Sequence, residues 1–191
     1  MRLRVPPATA ILCGTVLFAL PSRALAQTPA PRSTEVFGGY SFLRDPGNAI
    51  LDASAGDDNF TLGWTAGLAR PVWRAVAAVG EVSGHYKTRT TFDEDVTLSF
   101  HAFLAGPRVA ARIGPLTEFA QVLAGAVHGR GSAFGTTVSV TDLAAQPGGG
   151  VDYPLGARLA ARLELDYRWI RGSDGRPSAN QFRAVAALVY R

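Results

Sequence analysis

The sequence predicts an all-β fold, an eight-stranded antiparallel up-and-down transmembrane β-barrel. Three observations lead to this prediction. Eight segments alternate apolar and polar residues with a period of two, as strands with two different faces do. The links between these segments alternate between long and short. Every segment also has an apolar face. Helical periodicity is scarce, so the sequence predicts no helix that could cover those faces.

The first residues are typical of an export signal. Arg2 and Arg4 give a basic start, and the apolar run 8–20 is too short to span a bilayer as a helix. Residues 24–26 form a small-x-small cleavage site, so cleavage after Ala26 is expected. An N-terminal membrane anchor is the alternative. The expected division is a signal peptide over 1–26, a leader over 27–33 and an outer-membrane barrel domain over 34–191.

Loss of the signal changes the charge and the chemistry of the chain. Arg2, Arg4 and Arg23 leave with it, so the formal net charge falls from +4 to about +1. No long basic run remains, and nucleic acid is not an expected partner. The single cysteine, Cys13, is lost as well. The mature chain therefore has no disulfide and no cysteine metal site, and no cofactor is expected.

Strand and loop boundaries follow from the alternation and from turn residues. The expected strands are 34–43, 60–70, 74–87, 96–112, 116–128, 142–153, 157–169 and 180–191. The long polar links are 44–59, 88–95, 129–141 and 171–179. Membrane barrels have short periplasmic turns and long external loops, so these four links are predicted to lie outside the cell. Pro107 and Pro147 fall inside expected strands and predict bulges or strand ends.

The strand at 157–169 shows the clearest division between two faces. Its apolar face consists of Leu159, Ala161, Leu163, Leu165, Tyr167 and Trp169. Its other face consists of Arg158, Ala160, Arg162, Glu164, Asp166 and Arg168. Because successive side chains in a strand point to opposite sides, the first set is predicted to contact lipid and the second to face the lumen.

Other strands repeat this division with smaller polar residues. The predicted lipid-facing sets are Phe60, Leu62, Trp64, Ala66 and Leu68; Val76, Ala78, Gly80, Val82 and Tyr86; and Leu98, Phe100, Ala102 and Leu104. The predicted lumen-facing sets include Glu81, Ser83, His85 and Lys87, and also Thr97, Ser99 and His101. Aromatic girdles are expected at the outer ends, with Tyr40, Phe42, Phe60, Tyr86, Tyr167, Trp169 and Phe182, and at the periplasmic ends, with Trp73, Tyr153 and Tyr190.

Several short motifs resemble the transmembrane domain of the OmpA-like outer-membrane barrels. Residues 149–153, followed by a short turn and 161–164, are similar to the sixth and seventh strands of that family. Residues 79–82 with Gly84 are similar to its third strand, and 36–41 look like the first strand of related small barrels. The resemblance spans most of 34–191. The final Tyr190-Arg191 departs from the family, whose last strand usually ends on an aromatic residue.

The resemblance implies an outer-membrane location, contact with outer-membrane lipid and folding by the barrel-assembly machinery. It also implies a polar lumen in which Glu81 and Arg162 pair across the interior. The residues that would extend this network are Asp152, Glu164, Asp166 and Arg168. Charges in a narrow lumen must be paired or hydrated, because an unpaired buried charge is costly. A purely structural network is favoured over a conducting gate.

The favoured function is a non-enzymatic structural or surface-interaction barrel, whose surface partner is unknown. A narrow, porin-like ion channel is the alternative, although eight strands enclose little more than side chains. A lipid-modifying enzyme is a weaker alternative. Glu81, Ser83 and His85 share one face of a strand, but such neighbours lie about 7 Å apart, beyond hydrogen-bond reach. A soluble lipocalin-like binder would need apolar faces turned inward, which the charged face of 157–169 contradicts. No catalytic residue and no metal site is predicted.

Overall fold

The computed structural model describes residues 33–45, 59–91, 94–133, 136–173 and 178–191. The predicted signal peptide, almost all of the predicted leader and parts of the four predicted long loops lie outside these residues. Within the described part of the chain, no helix is long and apolar enough to span a bilayer.

The described residues form a closed antiparallel barrel, as predicted. Its elements are β1 (Glu35–Arg44), β2 (Asn59–Phe60), β3 (Leu62–Trp73), β4 (Val76–Thr91), β5 (Glu94–Ile113), β6 (Leu116–Ala133), β7 (Thr136–Pro154), β8 (Leu159–Arg171) and β9 (Ala179–Tyr190). From β3 to β9 each strand pairs with the next one along the chain, and pairing of β1 with β9 closes the sheet. Since β2 and β3 both pair with β1, they form one interrupted wall strand, and the barrel has eight strands.

The interruption between β2 and β3 changes the direction of one aromatic side chain. Tyr40 pairs with Trp64, whereas Leu43 pairs with Phe60, so one extra residue lies between the two pairs on the β2–β3 side. An extra residue of this kind reverses the facing of the residues beyond it. Phe60 is therefore buried in the lumen, and its predicted place on the lipid face and in the outer girdle was wrong.

The described residues of two predicted long loops are strands. β4 and β5 pair as far as Thr91 and Glu94, and β6 and β7 pair as far as Ala133 and Thr136. Residues 88–91, 94–95, 129–133 and 136–141 therefore lengthen two hairpins. These segments contain polar residues on successive positions, which hides the alternation, yet their Thr and Val residues favour extended backbone.

The lengthened hairpins make the wall asymmetric. β5 has 20 residues, twice the 10 residues of β1. Residues 87–91, 94–98, 128–133 and 136–142 extend past the described ends of β2 and β8, and we call them the projecting sheet. The short turns lie at the opposite end, where Trp73 pairs with Val76 and Ile113 pairs with Leu116. Following the predicted orientation, we call the end with the short turns the periplasmic end and the other the outer end.

Neither internal proline ends a strand or adds a bulge, so that prediction was wrong. Pro107 pairs with Ala78 of β4, and the ladder from β5 to β6 omits Gly106 and Pro107 without a shift of register. Pro147 pairs with Val122 of β6, and the ladder from β7 to β8 omits Gln146 and Pro147 in the same way. Each proline lacks a donor toward one neighbour only, and the pairing on its other side holds the strand.

The barrel has apolar side chains outside and charged side chains inside. On the outer face of β8, Leu163 is 63% exposed and Leu165 is 70% exposed. On the inner face of β8 and β9, Arg162, Arg168 and Arg183 are at most 2% exposed. Water does not favour a continuous apolar outer surface, whereas the hydrocarbon of a bilayer covers one.

The outer half of β5 reverses this arrangement and contradicts its predicted facing. Phe100, Ala102 and Leu104 are buried in the lumen, while His101 faces outward and Phe103 is exposed. Thr97 and Ser99 face outward with His101. Apolar residues occupy both faces of this strand, so the choice of face from alternation alone was ambiguous. The polar residues point outward because this end of the strand leads into the projecting sheet, where polar side chains on the outer face meet water.

Candidate functional site

The lumen is the candidate functional site, and the alternation of the strands places its charged side chains there. All six residues expected in the lumen network are buried, each at most 5% exposed. These residues are Glu81, Asp152, Arg162, Glu164, Asp166 and Arg168. β8 contributes four of them, since every second residue of this strand from Arg162 to Arg168 is charged and faces inward.

The central cluster surrounds Arg183 of β9. Its guanidinium lies 2.8 Å from a carboxylate oxygen of Glu81 on β4, and 3.0 and 2.8 Å from oxygens of Glu164 and Asp166 on β8. One cation thus holds three carboxylates from two strands. Charge-assisted hydrogen bonds of this kind are stronger than neutral ones, and they fix the positions of all four side chains.

A second cluster lies at the periplasmic end. Nε and Nη2 of Arg162 donate to the two carboxylate oxygens of Asp152 at 2.7 and 2.9 Å, a bidentate pair. Arg191 donates to Asp152 and to Glu35 of β1, both at 2.7 Å. Residues from β1, β7 and β8 and the residue after β9 are therefore joined at this end.

Two phenyl rings pack against the arginines of the periplasmic cluster. The guanidinium carbons of Arg108 and Arg162 lie 4.3 and 4.4 Å from the ring centre of Phe119. They lie 5.3 and 4.8 Å from the ring centre of Phe37. Cations over ring faces are attracted by the ring quadrupole, most strongly where water is excluded.

Glutamine side chains connect the clusters. Gln121 accepts two hydrogen bonds from Arg108, at 2.9 and 2.7 Å, and donates to Glu164 at 3.0 Å. Gln146 accepts from Arg168 at 2.8 Å and lies 3.4 Å from Glu81. Arg108 also lies 3.8 Å from Glu35 as an ion pair, so hydrogen bonds and ion pairs together join the middle and the periplasmic end of the lumen.

Apolar side chains occupy much of the outer end of the lumen, namely Leu43, Phe60, Phe100, Val127 and Ile170. Buried polar groups lie there too, and Nε2 of Gln181 donates to Asp45 at 3.2 Å. The rings of Phe60 and Phe100 meet edge to face with their centres 5.2 Å apart. Arg168 and Arg183 are 0% and 2% exposed, so neighbouring side chains surround both closely. The interior is filled with side chains, as expected of eight strands.

Solved structures of bacterial surface proteins share this architecture. Neisserial surface protein A superposes with a TM-score of 0.65 at 9% identity, over 82% of this chain and 96% of that chain. Ail, the attachment invasion locus protein of Yersinia pestis in complex with the heparin analogue sucrose octasulfate, superposes with a TM-score of 0.57 at 16% identity, over 82% and 96%. No family model and no curated protein sequence matches the chain.

The chain has the fold of the small outer-membrane β-barrels. The resemblance carried by the short motifs is therefore confirmed at the level of the fold.

The predicted contact between Glu81 and Arg162 of this barrel is wrong. Glu81 pairs with Arg183 and Arg162 pairs with Asp152, and among the described residues no ion pair joins Glu81 to Arg162. Sequence reasoning missed Arg183, although it lies between the outward Phe182 and Ala184 and is the only charged residue of its strand. A single charge at an inward position of an apolar strand was the signal that marked it.

The geometry does not support the catalytic arrangement considered from sequence. The nearest partner of His85 is Ser41, at 2.9 Å, and Ser83 lies 3.4 Å from Arg168 instead. Nδ1 of His85 has no hydrogen-bond partner, so no acid orients the ring. Ser41 and His85 are both 0% exposed, out of reach of a substrate. Within the described ranges, no group of three or more His, Cys, Asp or Glu residues is arranged to hold a metal ion.

Proposed function

We propose that this protein is a non-enzymatic, non-conducting outer-membrane barrel that binds a partner at the cell surface through its projecting sheet. The observation that carries the proposal is the outer edge of β7 at residues 136–141. β7 pairs with β8 only from Leu143 inward, where Leu143 meets Arg171. Residues 136–141 pair with β6 on one side, and among the described residues no strand pairs with them on the other.

The exposed edge has the composition of a strand that accepts a partner. Residues 136–141 consist of Thr, Val and Ser, which favour extended backbone, and contain no proline or charge that would protect the edge. Val138 is 48% exposed on the side of the sheet that continues the lumen face. Extended peptides bind such edges through main-chain hydrogen bonds, with side-chain contacts adding specificity. The partner class we propose is therefore an extended segment of another protein.

The two structural neighbours support a surface role in general terms. One is named as a surface protein and the other as an attachment invasion protein bound to a heparin analogue. Their ligands are not carried over to this chain, because identities of 9% and 16% carry no information about individual residues.

The filled lumen favours a closed barrel over a channel. Ion passage would require water beside Arg168 and Arg183, which the surrounding carboxylates, glutamines and apolar residues exclude. We propose that the network fixes the position of the wall strands. In planar bilayers the protein should therefore show negligible conductance, and steady single-channel currents would support the channel alternative.

The proposed location is the bacterial outer membrane. Its support is the apolar outer face of the wall together with the fold of the neighbours. We propose export with cleavage after Ala26, insertion by the barrel-assembly machinery, contact with outer-membrane lipid and no nucleic-acid partner. Protein purified from outer membranes should begin at Gln27, and an N-terminal sequence that retains residues 1–26 would contradict the cleavage.

Binding of peptides by the β7 edge can be tested with a shortened hairpin. Replacement of residues 130–139 by Asn-Gly should leave a tight turn between Gly129 and Val140, which are paired in the structure. Binding to an array of extended peptides, measured on barrels in lipid nanodiscs, should fall by about tenfold, equivalent to roughly 1.4 kcal/mol. The matched control replaces residues 89–96 by Asn-Gly between Thr88 and Thr97. Equal losses in both variants, or none in the first, would reject the β7 edge.

A further inference from the structure

We propose that the outer wall of the barrel binds one acyl chain of an anionic lipid, in a groove that crosses β6, β7, β8, β9 and β1. The groove has a volume of about 780 Å³. Small-molecule sites typically occupy about 300–1,000 Å³. The proposal rests on the outer-membrane location proposed above, and it concerns a surface separate from the projecting sheet.

Small outward-facing residues form the floor of the groove. Ala120 pairs with Gly149, and Leu165, which pairs with Gly149 on its other side, also pairs with Ala184. Three of these four neighbouring positions thus carry little or no side chain. An apolar surface with such a depression loses dispersion contacts unless a flexible apolar group fills it.

Aromatic side chains form the wall of the groove on its outer side. Tyr167 and Phe182 are paired on β8 and β9, and their rings lie 5.3 Å apart in an edge-to-face arrangement. Both line the groove together with Leu165 and Phe42. Most of the lining is apolar and faces the same side as the exposed Leu163 and Leu165, so a hydrocarbon chain is the matching occupant.

The glycine run of β7 keeps the wall thin beneath the groove. A Cβ atom on Gly148 would overlap the carboxylate of Asp166, and one on Gly150 would lie 2.8 Å from the ring of Phe119. The lumen side of these positions is therefore already filled by neighbouring side chains. Side chains at either position would collide with these lumen groups, so the packed lumen beneath the groove requires glycine at both.

Charges at the two ends of the groove orient the lipid. Arg44, at the outer end of β1, is exposed, and Glu118 lies near the periplasmic start of β6. The cation attracts an anionic headgroup and the carboxylate repels one. The bound lipid therefore belongs to the outer leaflet, with its headgroup beside Arg44 and its chain directed toward Glu118.

A photocrosslinking experiment tests the site. The full mature chain is inserted into phosphatidylcholine vesicles that contain a small share of phosphatidylglycerol with a photoreactive group in the middle of one acyl chain. Crosslinks should concentrate on residues 147–151, 165–167 and 182–184. We expect about tenfold more product there than at Phe103, which faces lipid on the far wall, a preference equivalent to roughly 1.4 kcal/mol.

Matched variants separate the groove from ordinary lipid contact. Ala184→Leu fills the floor, and Ala186→Leu makes the same change two residues away on the same outer face, outside the groove. Ala120→Leu and Ala124→Leu form a second such pair on β6 and replace the first if Ala184→Leu does not insert. Arg44→Gln should weaken capture of the anionic lipid, whereas Arg70→Gln at the periplasmic end should not.

The outcomes distinguish failure of the site from failure of the proposed location. Wild-type protein that does not insert into vesicles or shift its gel mobility on heating would overturn both. Inserted protein labelled evenly around its circumference would overturn the groove alone. Equal capture of a phosphatidylcholine probe carrying the same photoreactive chain would overturn the assignment of an anionic headgroup.

Discussion

The wall at β8 and the projecting sheet use the same alternation of side chains in opposite directions. In β8, apolar residues point outward and charged residues point inward. Beyond His101 of β5, polar residues such as Ser99 and Thr97 point outward, while Phe100 points inward. The difference shows that alternation fixes which residues share a face, whereas the surroundings of each face decide whether that face points in or out. Lipid surrounds the first region in our proposal, and water surrounds the second.

The largest effect should come from the centre of the lumen. Arg183→Met would leave three carboxylates without their shared cation, and removal of one partner of a buried ion pair costs about 3–5 kcal/mol. The free energy of unfolding, measured by urea titration in lipid vesicles, should fall by that amount. Arg130→Gln in the projecting sheet is the control, and it should stay within about 0.5 kcal/mol because Arg130 is exposed. Similar losses in the two variants would contradict a lumen that depends on Arg183.

A cation placed on each exposed apolar surface tests what surrounds it. Leu163 and Val138 are both exposed, at 63% and 48%. Leu163→Arg should destabilise the barrel by about 2–4 kcal/mol if this residue lies near the midplane of the bilayer. Val138→Arg should change stability by less than about 0.5 kcal/mol, since it lies in water. The same vesicle unfolding assay measures both, and equal tolerance would place Leu163 outside lipid.

Double-mutant cycles test which charged side chains contact each other within the lumen. Arg162→Gln combined with Asp152→Asn should show a coupling of about 0.5–3 kcal/mol, because the two side chains form a bidentate pair. Arg162→Gln combined with Glu81→Gln should be additive within about 0.5 kcal/mol. Strong coupling in the second cycle would restore the pairing that the family resemblance implied, and additivity in the first would contradict the periplasmic cluster.

Single cysteines test which end of the barrel faces outward, with the smallest expected effect on stability. Thr137→Cys in the projecting sheet should react with a membrane-impermeant thiol reagent on intact cells. Gly156→Cys, in a periplasmic turn with open space around its backbone, should react only after lysis. Both variants should unfold within about 0.5 kcal/mol of the wild type. Labelling of Gly156→Cys alone on intact cells would reverse the orientation.

The fold was predictable from sequence where the two faces of a strand differ strongly. β8 has four charges on alternate positions opposite apolar residues, so its facing followed from period two alone. β5 has apolar residues on both faces, and there the same reasoning chose the wrong side. The hairpin segments at 88–95 and 129–141 have polar residues on both faces and were therefore taken for loops.

Membership of the lumen was easier to predict than contacts within it. Whether a side chain points into the lumen depends on the alternation within its own strand, and the sequence of that strand shows the alternation. Contacts such as Glu81 with Arg183 depend on closure of β1 against β9 and on the stagger of all strands between them. The resemblance to a family gave a pairing for Glu81 and Arg162, but Asp152 lies opposite Arg162 in the β7–β8 register and forms the nearer partner.

The cluster at the periplasmic mouth has a consequence for the order of assembly. Arg191, just after the last strand, contacts both Glu35 at the start of the first strand and Asp152 on β7. The contact with Glu35 forms only after the first and last strands have met, and a slip of one residue along that seam would turn Glu35 toward lipid. The ends of the chain thus stabilise the closed barrel only when the seam is in the native register. The seam between β1 and β9 should therefore be the last part of the barrel to become stable, and its formation should fix the native register.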